Sequence, residues 1–516
     1  MPHCTSNKQE IPYPFNFNKE TMQLWVLDRQ VIFAMQGQPS FIDWKGKPPA
    51  RCLDLGCGLG DWLVDSARLW PNSTFVGFDI ANLQIDLNYV EPSVARRIKW
   101  VHGNFLERLP FDDNEFDYIH ISAIAFCVPE DKWHSVYDEI CRILKPNGYV
   151  EQGEEDPVFP VLPRWFTTPL HGGEVADVAH EADHATHAHM LLEELFYKVF
   201  ESRFINITPS SALPGYFSAS FKHIISPPIV KIPMPPLAPL PPFDRELIPV
   251  TATQRSFPTL PGSFRLQDLS NDVPESPSND TNKSFSSFGS SSNDMSLSPQ
   301  SPSETIFSNV ERLRNNSVST ANASIRSIGR KSSHTGSSST GSGSQVAGPA
   351  YADHSDSTHV GASKEVYSLW NLEGMAEMDE HSLYVHLTHA AGLVNGVKES
   401  MWGELKKMVS HHDHVVQLKR HGWSESDYTE SNSRRLFENL WERYQRDLRE
   451  RIAMWHPMVH YGWTYPKFEV MTETEIAGRE KLRREILEAR TLAKDEEIQH
   501  PIRVTRLLVG MNGKGS

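Results

Sequence analysis

Two short segments constrain the fold of this chain more than any other feature. The first, at 51–60, reads Arg-Cys-Leu-Asp-Leu-Gly-Cys-Gly-Leu-Gly, an apolar strand that breaks into a loop with glycine at every second position. The second, at 75–79, reads Phe-Val-Gly-Phe-Asp, an apolar strand that ends on a carboxylate. A glycine loop followed about 20 residues later by an acid, at the tip of the next parallel strand, suits a ribose with two hydroxyls. The sequence therefore predicts a parallel α/β sheet with a nucleoside site.

The spacing of the glycines narrows the class of nucleoside. A dinucleotide fingerprint has the spacing G-x-G-x-x-G, and a P-loop needs Gly-Lys followed by Ser or Thr. The loop here instead reads Asp54-x-Gly56-x-Gly58-x-Gly60. It resembles motif I of the class I S-adenosylmethionine (SAM)-dependent methyltransferases. The resemblance implies that these four residues hold the methionine end of SAM and that Asp79 holds the ribose, whereas the alternative is an ordinary turn between a strand and a helix.

The resemblance continues through the next two strands. A third apolar strand at 98–101 leads into Gly-Asn-Phe, a turn that flanks the adenine in this family. The resemblance implies that Asn104 accepts a hydrogen bond from the adenine amine, where the family usually has an acid, and that Phe105 lies beside the adenine ring. Leu-Pro-Phe at 109–111 and Phe-Asp-Tyr-Ile-His-Ile at 116–121 resemble the family's approach to its fourth strand. Ser122 follows that strand and is predicted to contact the cofactor.

The order of elements predicts the fold class. Five apolar strands alternate with helical stretches, which gives a parallel sheet with right-handed crossovers. The segment at 502–510 also reads as a strand, and the family's last strand is antiparallel. We expect an α/β protein with a Rossmann-like, seven-stranded, mostly parallel sheet and helices on both faces. A helical insertion that acts as a lid and a long disordered linker complete the prediction.

Composition changes sharply along the chain. Residues 1–226 carry the SAM-binding methyltransferase core, and a proline-rich stretch at 227–242 precedes a region rich in Ser, Asn, Asp and Gly. Such a region has too little apolar surface to offset the entropy of ordering. We therefore predict a disordered linker over 227–362 and a helical region over 363–516 whose C-terminal strand returns to the core sheet.

Two helices are predicted in the last third of the chain. Apolar residues recur at four-residue spacing over 433–455, with Arg and Glu on the other face, which indicates an amphipathic helix. A second helix is predicted over about 473–494, because Thr472 and Glu475 have the spacing of a capping box.

Carboxylates at the end of the predicted fifth strand are candidates for catalysis. Glu151, Glu154, Glu155 and Asp156 cluster there, with His120 and Ser122 near the end of the fourth strand. A methyltransferase mainly positions and desolvates its acceptor, since the cofactor carries the electrophile. We predict Glu154 or Glu155 as the catalytic residue in contact with substrate; the alternative is a solvated acidic loop.

A group of histidines could suggest a metal. His180, His184 and His187 have helical i, i+4, i+7 spacing, and His189 follows. Histidines at i, i+4 can bind zinc, but the HExxH pattern is missing. We expect solvated or substrate-lining histidines and no metal. Trp62 and Trp70, which follow the glycine loop, are expected in the core.

A closer resemblance concerns residues 11–226. The lead-in with Tyr-Pro at 13–14 and Pro-Ser-Phe at 39–41, and the later Arg-Phe-Ile-Asn at 203–206, are similar to a group of fungal methyltransferases. That group includes velvet-associated regulators of secondary metabolism. The resemblance implies a small-molecule methyl acceptor, with a regulatory protein as a possible partner.

Charge and hydropathy limit the location and the partners. The formal net charge is −15, which disfavours nucleic acids and anionic membranes as main partners. Neither a signal peptide nor an apolar run of about 18 residues is evident. We expect a cytoplasmic, possibly nuclear, protein. Five cysteines without CxxC spacing indicate reduced thiols.

Two functions remain open at this point. The first is a SAM-dependent methyltransferase that modifies an O, N or C atom of a small molecule, such as a secondary metabolite. The second is a regulatory or interaction protein that keeps the fold, or a protein methyltransferase. The intact glycine loop favours the first, and the long serine-rich linker favours the second.

Overall fold

The computed structural model describes residues 12–16, 18–173, 187–243, 245–246, 379–411, 415–460, 462, 470–493 and 500–513. Described residues from both ends of the chain belong to one compact unit. The predicted linker beyond 246 and the start predicted for the helical region, at 363, lie outside the described residues.

The strands are short except for two, and six of the ten fall where the sequence predicts them, namely the five between 51 and 155 and the last one. Their bounds are β1 Arg51–Leu55, β2 Thr74–Asp79, β3 Ile98–His102, β4 Phe116–Ser122, β5 Leu144–Glu155, β6 Lys222–Ile225, β7 Val230–Pro233, β8 Arg245–Glu246, β9 Met471–Thr472 and β10 Pro501–Met511.

The α-helices separate the strands and fill the last third of the chain. Their bounds are α1 Lys19–Gln36, α2 Asp61–Leu69, α3 Pro92–Ala95, α4 Trp133–Ile143, α5 Arg164–Leu170, α6 Met190–Glu201, α7 Pro209–Ser220, α8 Glu380–Gly396, α9 Lys398–Ser410, α10 Val415–Arg420, α11 Glu430–Arg451, α12 Trp455–His460 and α13 Glu473–Leu492. Both helices predicted in the last third are confirmed, as α11 and α13, and Thr472 and Glu475 form the capping box.

The central sheet confirms the predicted fold class. Its order is β3-β2-β1-β4-β5-β10-β6, and the pairs from β3 to β5 are parallel. As predicted, β10 pairs antiparallel with β5. An eighth strand adds to the predicted seven, because β10 is long enough to pair with β6 near one end and with β7 near the other. A separate ribbon joins β8 to β9.

The sheet is covered on both faces, which explains its apolar strands. In β1, Cys52, Leu53 and Leu55 are fully buried. One face of the sheet packs on α4 and α7. The other face meets Trp62 and Trp70, whose rings contact Phe75 and Tyr118 in edge-on, tilted and stacked geometries. Both tryptophans are core residues, as predicted.

The beginning of the predicted linker is instead ordered. Residues 230–233 form β7, and the prolines that follow lie against the helices. Pro236 O accepts hydrogen bonds from Arg451 Nη1 at 2.8 Å and from the Tyr384 hydroxyl at 3.0 Å. Proline lacks an N–H but keeps its carbonyl, so a proline-rich strip can serve as an acceptor surface for buried donors.

A second apolar cluster lies outside the sheet core. It is formed by side chains from α5, α6, α8, α9, α11 and α13, together with Phe15 and Ile502. We call this group of helices the helical layer. Helices α8 and α9 meet at Val397.

Candidate functional site

The glycine loop has a backbone that favours glycine at three positions. The φ angles of Gly56, Gly58 and Gly60 are +77°, +53° and +81°. A Cβ atom at Gly56 would lie 2.7 Å from Ile124 Cγ2, and one at Gly60 would collide with the ring of Trp100. An added Cβ at Gly58 would meet no described atom within 4 Å. The backbone at Gly58 therefore faces open space that a ligand can approach.

Asp79 lies at the end of β2 and is tied to the glycine loop. Its Oδ2 accepts a hydrogen bond from Gly58 N at 2.8 Å, and its Oδ1 accepts one from Ala81 N at 2.8 Å. Burial raises the pKa of Asp79, while these backbone donors lower it. An ionised carboxylate has about four lone-pair sites, so acceptor capacity remains after these two bonds. The predicted ribose ligand and the glycine loop thus form one structure.

The other predicted cofactor residues line the same edge of the sheet. Asn104 and Phe105 follow β3, and a Cβ at Gly56 would lie 3.7 Å from the Phe105 ring. Asn104 Oδ1 accepts from Leu106 N at 3.0 Å, so its amide oxygen already holds the turn. Ser122 is exposed at the end of β4. We call the edge formed by the ends of β1 to β4 and the glycine loop the carboxyl edge.

Asp54 lies beneath the loop rather than on it. Its side chain is buried, and Oδ1 is 2.7 Å from His120 Nδ1. The His120 ring stacks on Trp62 with ring centroids 4.1 Å apart. Asp54 and His120 are direct partners across β1 and β4, and Glu151 continues the row on β5. The sequence named these residues but did not reveal this cross-strand row.

Two charged side chains near the loop have buried atoms without a hydrogen-bond partner among the described residues. Asp61 begins α2 directly after Gly60, and its Oδ2 has no hydrogen-bond partner among the described residues. The same holds for Nε and Nη2 of Arg29 in α1. Burial raises the pKa of Asp61 to about 6, and the Arg29 charge acts against that rise. Together with the open space at Gly58, these unsatisfied atoms fit a charged group of SAM.

The predicted catalytic carboxylates are both buried and occupied. Glu154 Oε2 accepts from Ala125 N at 3.0 Å, and its Oε1 accepts from Gln152 Nε2 at 2.8 Å. Burial raises the pKa of Glu154 to about 7. Glu155 lies in a different network, where Oε1 is 2.8 Å from His389 Nε2 and Oε2 is 2.6 Å from Arg503 Nε. A catalytic role for either residue stays a prediction.

The alternative of a solvated acidic loop is wrong, because Glu151, Glu154, Glu155 and Asp156 are at most 8% exposed. Glu151 accepts from Ser40 Oγ at 2.7 Å, and burial raises its pKa. These acids belong to a long strand with covered faces, so each needs local donors.

The charge network around Arg503 was not predicted from the sequence. Arg503 on β10 is 6% exposed and pairs with both Glu155 and Asp28 of α1. Burial alone would raise the pKa of Asp28, but the charges of Arg503 and His389 hold it well below its ordinary value. His386 lies 3.3 Å from Arg503 Nη1, and burial, assisted by that charge, lowers its pKa to about 3. The members of this network, with Arg503 included, come from four elements, so sequence spacing could not reveal the network.

The described members of the predicted histidine cluster are structural. His187 Nε2 lies 2.8 Å from Glu193 Oε2, and His189 Nε2 lies 2.9 Å from Oδ2 of the buried Asp447. Both histidines are buried, so they are not solvated side chains. His180 and His184 lie outside the described residues.

Two further properties concern chemistry and location. Cys52, Cys57, Cys127 and Cys141 are free thiols. Within the described ranges, no helix combines the length and the apolar character needed to cross a membrane.

Comparison with known proteins agrees with this geometry. Residues 52–148 match the model of a methyltransferase domain family. Demethylmenaquinone methyltransferase of Staphylococcus aureus is 30% identical over 176 residues, which cover 32% of this chain and 72% of the relative.

Solved structures give a weaker likeness. A methyltransferase of calicheamicin biosynthesis, in its SAH-bound form, is 19% identical, with a TM-score of 0.25 and coverage of 40% of this chain and 51% of that one. Geranyl diphosphate C-methyltransferase from Streptomyces coelicolor is 15% identical, with a TM-score of 0.24 and coverage of 41% and 62%. The chain thus spans between half and two thirds of these two proteins.

The matched domain, residues 52–148, includes most of the glycine loop segment, Asp79 and the fourth strand. The chain therefore belongs to the class I SAM-dependent methyltransferases, with SAM as the methyl donor.

Proposed function

We propose that this methyltransferase acts on an O, N or C atom of a small molecule, of the secondary-metabolite class, as in the fungal group that its lead-in resembles. The observation that carries the proposal is the carboxyl edge. Asp79 is held by Gly58 N at 2.8 Å and keeps acceptor capacity, while the space above Gly58 is open. A fold that had lost its cofactor would not need to keep both features.

The N-terminal segment supports a covered reaction site. Phe15 packs on Phe126, just after β4, with ring centroids 5.5 Å apart. Burial raises the pKa of the Tyr13 phenol well above its ordinary value, so the phenol stays neutral. Transfer of a methyl group is an in-line displacement in which the protein orients the acceptor and excludes water. The aromatic side chains of Phe15 and Phe126, packed beside the carboxyl edge, suit both tasks.

Arg29 and Asp61 are proposed to hold the amino-acid end of SAM. In α1, Asp28 pairs with Arg503 of β10, whereas the Arg29 charge opposes the rise that burial causes in the pKa values of Asp61 and Asp65 in α2. Helix α1 therefore passes over the carboxyl edge from β10 toward the glycine loop. The Nε and Nη2 groups of Arg29 and the Oδ2 atom of Asp61, which have no hydrogen-bond partner among the described residues, are complementary to an α-carboxylate and an α-ammonium.

Two ligands distinguish a loss at this subsite from damage to the rest of the cofactor site. S-adenosylhomocysteine (SAH) carries the amino-acid end, and methylthioadenosine lacks it. Arg29→Met is expected to weaken SAH by about 10- to 100-fold, the loss of about 1.5–3 kcal/mol for a charge-assisted hydrogen bond. Its affinity for methylthioadenosine should stay within about two-fold of wild type. Equal losses for both ligands would contradict the assignment and indicate damage to the whole site.

Calorimetric titration with SAM and with SAH tests the cofactor site itself. Wild type is expected to bind both, and Asp79→Ala to lose about 1.5–3 kcal/mol, because a charged acceptor for the ribose hydroxyls is removed. Asp86→Ala is a matched control, since Asp86 only caps the short 3-10 helix Leu87–Tyr89. Wild-type affinity in Asp79→Ala would show that the ribose lies elsewhere.

Glu154→Gln tests the predicted catalytic residue. A glutamine oxygen can still accept from Ala125 N, so the loop after β4 and SAH affinity should be kept. If Glu154 takes a proton, wild type should show a step in kcat near pH 7 that the variant lacks, because burial raises the pKa of Glu154 to about 7. An unchanged pH profile would remove Glu154 from the chemistry and leave it as a support of the loop.

A regulatory protein that keeps the fold, or a protein methyltransferase, is the second candidate. The serine-rich stretch between 263 and 350 supports it. A folded protein that binds neither SAM nor SAH would favour the regulatory role, and methylation of a co-purifying protein would favour the protein methyltransferase.

A further inference from the structure

A cluster of histidines and an aspartate lies at the start of α8, away from the cofactor residues. Asp379 precedes α8, His381 is in its first turn, and His460 ends α12. Asp379 Oδ1 lies 3.1 Å from His381 Nδ1, and Asp379 Oδ2 lies 3.6 Å from His460 Nε2. One ligand atom from each residue lies within 4.8 Å of the other two.

These separations match ligands that share one ion. In a tetrahedral site with bonds of about 2.0–2.1 Å, two ligand atoms are about 3.3 Å apart. The two measured distances, 3.1 and 3.6 Å, lie on either side of that value. To close on one ion, the rings of His381 and His460, which stack nearly parallel, would have to rotate so that a nitrogen of each faces the ion.

A further histidine adjoins the three. His456 is four residues before His460 on α12, the i, i+4 spacing that places two imidazoles on one helical face. The His456 ring centroid is 4.6 Å from that of His381, and the His460 ring stacks on His381 at 3.6 Å. His456 thus packs against His381 beside the cluster of Asp379, His381 and His460.

Helix capping does not explain this arrangement. Asp379 caps α8 by accepting from His381 N at 3.2 Å, which requires neither imidazole. His460 comes from another helix, and two face-to-face imidazoles repel each other when both are protonated. A cation bound between them would turn a crowded contact into shared coordination.

We propose that Asp379, His381 and His460 bind a divalent transition-metal ion of the zinc class, which joins α12 to the start of α8. Imidazole nitrogens with one carboxylate oxygen suit Zn²⁺, Co²⁺ or Ni²⁺, whereas Mg²⁺ and Ca²⁺ prefer oxygen ligands. The side chains of Asp379 and His460 are 44% and 49% exposed, so an ion can enter from solvent. The role is structural: His381 is eight residues before His389, about 12 Å along the helix from the Glu155 network.

The experiment uses the full chain, without a histidine tag and stripped of metal. Calorimetric titration with ZnCl₂ is expected to give one ion per chain, and Co²⁺ to give the visible absorption of a tetrahedral site. His460→Ala should weaken Zn²⁺ by about 100-fold or more, since loss of a second-shell partner alone costs about 10- to 100-fold. Binding of SAH serves as the readout that the variant is folded.

His421→Ala is the matched control. His421 also pairs with a carboxylate, Glu194 Oε2 at 3.2 Å, but the structure places no second imidazole beside it within the described residues. It should bind Zn²⁺ like wild type. If wild type takes up no stoichiometric Zn²⁺, or if His460→Ala and Asp379→Ala bind it unchanged, the site does not exist.

Discussion

The carboxyl edge and the contacts with the helical layer differ in how their charged side chains are paired. At the carboxyl edge, Asp79 keeps acceptor capacity, and Arg29 and Asp61 have atoms without partners among the described residues. Against the helical layer, Arg503 is paired with two carboxylates, and Asp447 with two histidines. Unsatisfied buried charge is costly, so we infer that the unpartnered atoms of Arg29 and Asp61 are completed by a ligand. The networks against the helical layer are held by ion pairs, although Asp447 Oδ1 and His386 Nε2 also lack hydrogen-bond partners among the described residues.

The separation of partners along the chain differs as well. Gly58 and Asp79 are 21 residues apart, whereas Asp28 and Arg503 are 475 apart. The carboxyl edge is therefore built from one continuous stretch of the chain. The ion pair between Asp28 and Arg503 instead joins the two ends of the chain.

The largest effect is expected from removing 500–516. This deletes β10, which lies between β5 and β6 and also supplies Arg503. We expect the cooperative thermal transition and SAH binding both to be lost. A chain that ends at 513 keeps β10 and should melt like the full chain. A deletion variant that melts as wild type does would contradict the role of β10.

Arg503→Met tests the network of ion pairs that Arg503 forms with Asp28 and Glu155. Removing the guanidinium leaves Asp28 and Glu155 buried without their main partner, which should cost about 3–5 kcal/mol in the free energy of unfolding. Urea denaturation measures it. Arg506→Met, on the same strand, loses hydrogen bonds to Ser226 Oγ and Ser210 O and should cost about 1–2 kcal/mol. Equal losses in both variants would mean that the network adds nothing.

The same network predicts a pH dependence. Despite burial, Arg503 and His389 hold the pKa values of Asp28 and Glu155 below their ordinary values, so the folded state binds fewer protons than the unfolded state. The stability they contribute is present above about pH 4 and is lost as the pH falls further. In Arg503→Met this slope should shrink. Parallel stability curves for both proteins below pH 4 would contradict the assignment.

Gly58→Val tests the open edge. Two methyl groups would enter the space where the ligand approaches, and SAH affinity should fall by about 100-fold or more, equivalent to about 2.7 kcal/mol. Gly422→Val is the matched control, because Gly422 has φ +79° and also has open space around its Cα. Both variants should lose similar stability from the strained backbone, but only Gly58→Val should lose the cofactor. Equal SAH affinity in the two would place the cofactor elsewhere.

Thr472→Ala gives the smallest effect. Thr472 Oγ1 accepts from Glu475 N, and Glu475 Oε2 accepts from Thr472 N at 2.8 Å. Loss of this cap should cost about 1 kcal/mol in urea denaturation. Thr491→Ala, near the other end of α13, removes only a hydroxyl that donates to Glu488 O and should change stability by less than about 0.5 kcal/mol. SAH binding should be unchanged in both.

Much of the fold could be predicted because it rests on local patterns. The apolar runs predicted β1 to β5, and the capping pair located the start of α13. The ordered proline strip could not be predicted, because its partners Arg451 and Tyr384 come from distant helices. Composition indicated a linker there, but composition does not report which donors a carbonyl will meet.

The candidate site divides in the same way. Glycine spacing predicted the loop and Asp79, since a backbone with positive φ leaves few alternatives to glycine. The partners of Glu155, and the meeting of Asp379 and His381 with His460, were hidden because those residues lie far apart in sequence.

The sequence by itself determined the parallel sheet, the glycine loop and the acid that faces it, because each depends on residues within one strand-turn-helix unit. Only the tertiary structure decided which buried charges are paired and which keep atoms without a partner among the described residues. The physical reason is that a buried charge is stable only beside its partner, and the chain brings those partners together from opposite ends.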